Sequence, residues 1–161
     1  MRRSLLIAAV AAAAAVAGCV TARVERDSQL AQGPVWRAEL TPARGQTVHG
    51  SVTVVPLRVG ERAADMRSRV MIAIAGSTNG ASHAWPVHYG VCGSDGGIVG
   101  PARSYPAIPI GTAGAAQMTA ELPFVLTNGV RYFVHVHDAA GMGVAACGAL
   151  QPAPAQVVAG R

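Results

Sequence analysis

The stretch Tyr132-Phe133-Val134-His135-Val136-His137 decides the fold of this 161-residue chain. Tyr132, Val134 and Val136 alternate with Phe133, His135 and His137, and a period of two belongs to a β-strand with one face buried. The first three residues predict the core side. The two histidines, two positions apart, share the opposite side. The same period recurs through the chain. Trp36, Ala38 and Leu40 alternate with Arg37 and Glu39; Val48, Gly50, Val52 and Val54 alternate with His49, Ser51 and Thr53. Val70, Ile72 and Ile74 oppose Met71, Ala73 and Ala75, and Met118, Ala120 and Leu122 oppose Gln117, Thr119 and Glu121. His83–Tyr89 and Ala145–Leu150 are shorter candidates. Pro42 with Gly45, Thr78-Asn79-Gly80, Gly111 with Gly114, and Asn128-Gly129 supply the turns. About seven short strands in one domain-sized chain predict an all-β fold, a Greek-key β-sandwich or barrel. Gly60–Met66 is compatible with one helical turn.

Composition agrees with that pattern. Apolar residues make up 51% and charged residues 13%, with 19 glycines and 10 prolines, which excludes a disordered chain and a charge-rich helical bundle. All 13 basic residues are arginine, and the formal net charge is +5.

The N-terminus reads as an address. Met1-Arg2-Arg3 is a basic start, and Leu5–Ala17 is an apolar run shorter than the roughly 20 residues that span a bilayer. It ends in Val16-Ala17-Gly18-Cys19, which resembles a bacterial lipobox; the alternative is an ordinary secretion signal with an incidental cysteine. The lipobox reading implies a signal peptide over 1–18, a lipid on Cys19, a tether over 19–33, a domain over 34–150 and a loose tail over 151–161. Val20 in place of aspartate implies an outer-membrane destination. Loss of Arg2 and Arg3 with the signal lowers the net charge from +5 to +3. That is too mild for a nucleic-acid footprint, so no nucleic-acid partner is expected.

With Cys19 lipidated, Cys92 and Cys147 remain, either bridged or as two buried thiols. An oxidising compartment favours the bridge. Tyr89–Ala107 is broken by Gly90, Gly93, Gly96, Gly97 and Gly100 into a long loop, of a length that usually serves function. Without a lysine or a following helix it is not a phosphate loop. Four of the five histidines, His83, His88, His135 and His137, bracket this loop. His135 and His137 on one strand face form a half-site for metal, and His88 is the candidate partner. His83, sharing a face with Trp85 and Val87, reads as structural, and His49 as a surface residue.

Three motifs together carry a family resemblance. His83-Ala-Trp-Pro-Val-His88-Tyr-Gly resembles the first copper strand of Cu/Zn superoxide dismutases. Val134-His135-Val136-His137-Asp138 resembles their late copper strand, and Val144-Ala-Ala-Cys147-Gly-Ala-Leu150 their closing strand. Cys92 falls where the family's other disulfide cysteine lies. The likeness spans Val35–Leu150 and is closest to divergent bacterial lipoproteins of superoxide-dismutase type.

The departures from the family pattern bear on activity. The resemblance implies that His88 and His137 keep two of four copper-ligand positions, while Pro86 stands at a third. Residues 93–134 contain no histidine, so the bridging ligand and the zinc site are missing, and Asp95 alone holds no zinc. Val144 replaces the arginine that draws superoxide to the metal. His83 matches a family histidine that bonds backbone and binds no metal. The expectation is therefore an envelope lipoprotein, anchored to the membrane through Cys19, with a non-catalytic superoxide dismutase-like module for binding or structure. The alternative is a copper-binding protein, or a residual copper-dependent dismutase, using His88, His137 and His135. No zinc cofactor is expected. The sequence names no protein or small-molecule ligand; sparse aromatics (4%) speak against a carbohydrate or peptide groove, and hydrolase-type serine motifs are absent.

Overall fold

A computed structural model describes residues 33–58 and 65–153. The signal peptide, Cys19, nearly all of the tether, residues 154–161 of the tail and most of the Gly60–Met66 segment lie outside the described residues. The strands are Val35–Pro42 (β1), His49–Arg58 (β2), Met66–Ala75 (β3), Ser82–His83 (β4), Val87–Tyr89 (β5), Ile108–Pro109 (β6), Ala116–Leu122 (β7), Tyr132–His137 (β8) and Val144–Ala153 (β9). Among the described residues there is no α-helix; Ala102–Ser104 forms a single 3-10 turn. The chain is all-β.

Seven strands form one antiparallel sheet in the order β5-β8-β9-β1-β2-β3-β7, which curls into a half-barrel. The β1–β9 and β3–β7 pairings join strands far apart in sequence. Alternation selects the inner wall of the curl. Trp36, Ala38, Leu40, Val52, Val54, Val70, Ile72, Ile74, Ala120, Leu122, Val134 and Val136 are all buried there. The open side is closed by the loops and by the small β4–β6 pair, which bring in Trp85, Val99, Ile108 and Ile110. Trp85 is fully buried, donates from Nε1 to the Pro106 carbonyl at 2.6 Å and packs edge-on against Tyr105. Gly50 belongs to the β2–β3 ladder for a steric reason: a Cβ there would overlap the Ala73 carbonyl oxygen.

Two boundaries differ from the sequence reading. His83–Tyr89 is not one strand, because Trp85-Pro86 interrupts it. Its backbone nonetheless lines β8: the His135 amide donates to the Pro86 carbonyl (3.2 Å) and the His137 amide to the Ala84 carbonyl (2.8 Å). The last strand also runs on to Ala153, so Gln151, Pro152 and Ala153 are strand and not tail. They pair with Arg37, Trp36 and Val35. Past Leu150 the other edge of β9 has no β8 partner, so the missing N–H of Pro152 breaks no ladder bond on that side.

Candidate metal centre

His88, His135 and His137 stand on the adjoining strands β5 and β8, on the face away from the core. Each offers one ring nitrogen, and the three ligand atoms lie within 4.8 Å of one another. All three residues are half-buried. The ladder accounts for the gathering. Val87 pairs with Val134 and His88 with Phe133, which sets His88 beside the residues flanking His135. The β8–β9 register shifts between Val136 and His137, so His137 stands opposite Val144. Such a bulge re-aims the side chain next to it. The rings of His88 and His135 are 5.2 Å apart, and those of His135 and His137 are 6.0 Å apart.

His88 is prepared for a ligand. Its Nδ1–H donates to the Gly96 carbonyl at 2.7 Å, which fixes the tautomer and leaves the Nε2 lone pair free. That Nε2 is buried and has no hydrogen-bond partner. A buried acceptor left unpaired costs about 1–3 kcal/mol, and a metal ion would satisfy it. His135 has a pKa held below the ordinary 6.5, first by burial and then by the neighbouring His88 and His137. It is neutral at pH 7 and keeps a lone pair to donate. Three imidazole donors without a carboxylate or thiolate suit Cu or Zn, not Mg or Ca.

Phe133 makes the floor of the cluster. It is fully buried, stacks on His88 at 5.1 Å and meets His135 edge-on at 4.7 Å. The sequence pattern placed Phe133 on the exposed face with the histidines, and it does share that face. The rings of His88 and His135 lie against it and Gly90 stands beside its edge, which alternation alone does not reveal. His83, on the face of Trp85 and Val87, is buried and stands apart from the cluster's ligand atoms. Its Nδ1–H donates to the His137 carbonyl (2.7 Å) and its Nε2 accepts from Ser77 Oγ (2.6 Å). It therefore pins the strand at His137 from behind. His49 is exposed, bonded to the Thr47 carbonyl and apart from the cluster.

Cys92 and Cys147 form a disulfide, with Cα atoms 6.0 Å apart. Cys147 is the ladder partner of His135, so the bridge joins the glycine loop to the strand beside the cluster. The loop is ordered by backbone bonds from the Tyr89 amide to the Gly97 carbonyl (3.0 Å) and from the Val99 amide to the Val87 carbonyl (2.8 Å). Gly96, which the sequence reading does not single out, touches the candidate site through its carbonyl. A Cβ at Gly96 would overlap the Tyr89 carbonyl oxygen, so only glycine lets its carbonyl reach His88. The density of glycine in this loop was the one available signal.

No helix among the described residues is long and apolar enough to cross a membrane. A half-barrel carrying a disulfide and a three-histidine cluster is the class of domain these observations define. A scan against protein-family models finds no match to the chain, and a search of curated proteins finds none either.

Proposed function

We propose that this chain is an envelope lipoprotein whose β-domain binds a transition metal, copper by preference, through His88, His135 and His137. The single observation that carries the reading is the orphaned Nε2 of His88, buried within 4.8 Å of two further imidazole donors. Bound copper would supply a redox-capable, Lewis-acidic ion. The chain's own part is to hold three ring nitrogens in place, with the Gly96 carbonyl orienting His88 and His83 pinning the His137 backbone. Resemblance of the three motifs to Cu/Zn superoxide dismutases supports copper and a shared ancestry of the scaffold. The departures at Pro86 and Val144, and the lack of histidine over 93–134, speak against rapid dismutation and for holding or buffering the ion. Fast turnover of an anion also leans on positive charge at the metal, and the residue opposite His137 is the apolar Val144. The lipobox-like Val16-Ala17-Gly18-Cys19 supports anchoring through Cys19 in the outer membrane.

The test is Cu(II) competition with a chromophoric chelator, read alongside the spin-resonance spectrum of the bound ion. One equivalent bound with nitrogen hyperfine structure is expected, lost in His88→Ala and His135→Ala. Copper binding that survives both substitutions refutes the site. Cu-loaded protein that dismutates superoxide far faster than free copper refutes the holding role. Acyl labelling that persists in Cys19→Ser refutes the anchor.

A further inference from the structure

The end of the half-barrel where the domain begins gathers both apolar and positive surface. Val35 opens β1 there, paired with Ala153 of β9. β2 closes there at Arg58, opposite Met66 of β3, and β5 closes at Tyr89, opposite Tyr132 of β8. The Gly90 amide donates to the Arg131 carbonyl (2.8 Å), which draws Val91 to the Val130–Arg131 corner. Among the described residues six large apolar side chains are exposed, and three of them, Tyr89, Val91 and Val130, stand at this end. Val91, Val130 and Arg131 rim a hollow of about 280 Å³ over Trp36 and Leu150. A smaller hollow of about 140 Å³, also over Trp36, opens beside Gly33 and Met66. Charge follows the same distribution: Arg58, Arg67 and Arg131 are all exposed here. Among the described residues the nearby acids are Asp65, at the start of β3, and Glu121, which is paired with Arg69 at 3.4 Å. Glu61 and Arg62, outside the described residues, cancel in charge. Three arginines against one carboxylate leave this end positive.

We propose that this end of the half-barrel docks on an anionic phospholipid surface, with Arg58, Arg67 and Arg131 on the headgroups and Tyr89, Val91 and Val130 at the interface; the proposal rests on the Cys19 anchor reading above. Cys19 precedes Gly33 by 14 residues, so the lipid lies at most about 50 Å from the point where the domain begins. The eight residues of β1 run roughly 26 Å from that point toward the far end. The near end is therefore the one that the anchor brings to the bilayer with the least chain. A link of that length makes docking intramolecular, at an effective concentration of about a millimolar, so a surface too weak to bind alone is occupied. Each arginine close to an anionic surface favours docking roughly fivefold, and three together about a hundredfold. Tyr89 has the apolar ring and polar tip that suit the headgroup level. Pairing with a second copy would bury the same apolar side chains but bring arginine toward arginine, a repulsion that an anionic bilayer turns into attraction. His135 and His137 lie about 10 and 17 Å further along β8 than Tyr132, so docking at this end leaves the histidine cluster clear of the lipid.

The experiment uses the full lipidated chain in vesicles of phosphatidylcholine, alone or mixed with phosphatidylglycerol. A bimane label is placed on Val130→Cys or, at the far end, on Ala139→Cys, which is exposed in the β8–β9 turn. With Cys92 and Cys147 bridged and Cys19 acylated, the introduced cysteine is the one that takes the label. Quenching by a headgroup-nitroxide lipid reads the distance to the membrane. In mixed vesicles the label at position 130 is expected to be quenched several-fold more than the label at 139. That difference should shrink in phosphatidylcholine alone and at high salt, because screening removes the attraction. It should also shrink in Arg58→Ala/Arg67→Ala/Arg131→Ala, whose docking equilibrium falls about a hundredfold. Equal quenching at the two positions overturns the proposal, as does a folded triple variant quenched like wild type. If the triple variant does not fold, the salt series on the wild type decides: a difference that ignores salt overturns the proposal. A label response that grows with protein density and ignores lipid charge assigns this face to a second copy, and also overturns it. A chain that carries no acyl group and washes off the vesicles refutes the anchor reading itself, an outcome distinct from an anchored chain with no preferred end.

Discussion

Removing the Cys92–Cys147 bridge should weaken the fold by a definite amount. The two cysteines are 55 residues apart in sequence. In the chain-entropy account, a loop of that length removes about 14 cal/mol/K from the unfolded ensemble, or about 4 kcal/mol at 25 °C. Neither cysteine contributes core burial, since Cys92 is exposed and Cys147 half-buried, so little packing is lost in Cys92→Ser/Cys147→Ser. A domain of roughly 120 residues unfolds with an entropy near 0.25 kcal/mol/K, so 4 kcal/mol corresponds to a fall in Tm of about 16 °C. Urea and thermal unfolding of the double variant against the oxidised wild type measure both quantities. A loss below about 1 kcal/mol would refute the reasoning. It would mean that the unfolded chain is already compact around this loop, or that the bridge strains the native state as much as it restrains the unfolded one.

Other outcomes follow from single side chains. His83→Ala should cost about 2–4 kcal/mol in urea unfolding, because it takes a buried side chain away from the half-buried His137 carbonyl and Ser77 Oγ and leaves a cavity; His83→Gln, which can restore one bond, should recover part of it. Gly50→Ala should cost about 1–3 kcal/mol by pushing β2 off β3, and an unchanged urea midpoint would contradict the close approach there. The metal-free protein should lose stability as the pH falls below 6.5. The folded pKa of His135 is depressed, so the unfolded chain takes up the proton first, and this residue's contribution is complete above 6.5 and lost as the pH drops through the folded value. The slope of stability against pH over that range should be shallower in His135→Asn. Tyr105 behaves oppositely at the alkaline end: burial raises its pKa, so the unfolded state ionises first and stability should fall above pH 10, less so in Tyr105→Phe.

Much of this protein is legible in its sequence because strand alternation is local. Burial of one face of a strand writes itself as a period of two, so Trp36-to-Leu40, Val52 and Val54, Val70-to-Ile74 and Tyr132-to-Val136 declare their core sides without a partner in view. The shared face of His135 and His137 is read in the same way, since two residues on one pleat need no tertiary information to be neighbours. The burial of His83 is legible from the face it shares with Trp85 and Val87. Cysteine bookkeeping anticipates the disulfide because only one pairing is left once Cys19 is set aside.

What the tertiary structure decided is everything that depends on which strands meet. That His88 stands beside His135 and His137 follows from the β5–β8 register, set by hydrogen bonds between segments some 45 residues apart, and no local period encodes it. The buried floor at Phe133 exists because the rings of His88 and His135 close against it on a face that alternation assigns to solvent. The Gly96 carbonyl, the bulge that places His137 opposite Val144, and the pairing of Cys147 with His135 are likewise products of long-range contact. A backbone carbonyl has no residue type, so a site completed by one leaves no letter in the sequence beyond the glycine that lets it approach.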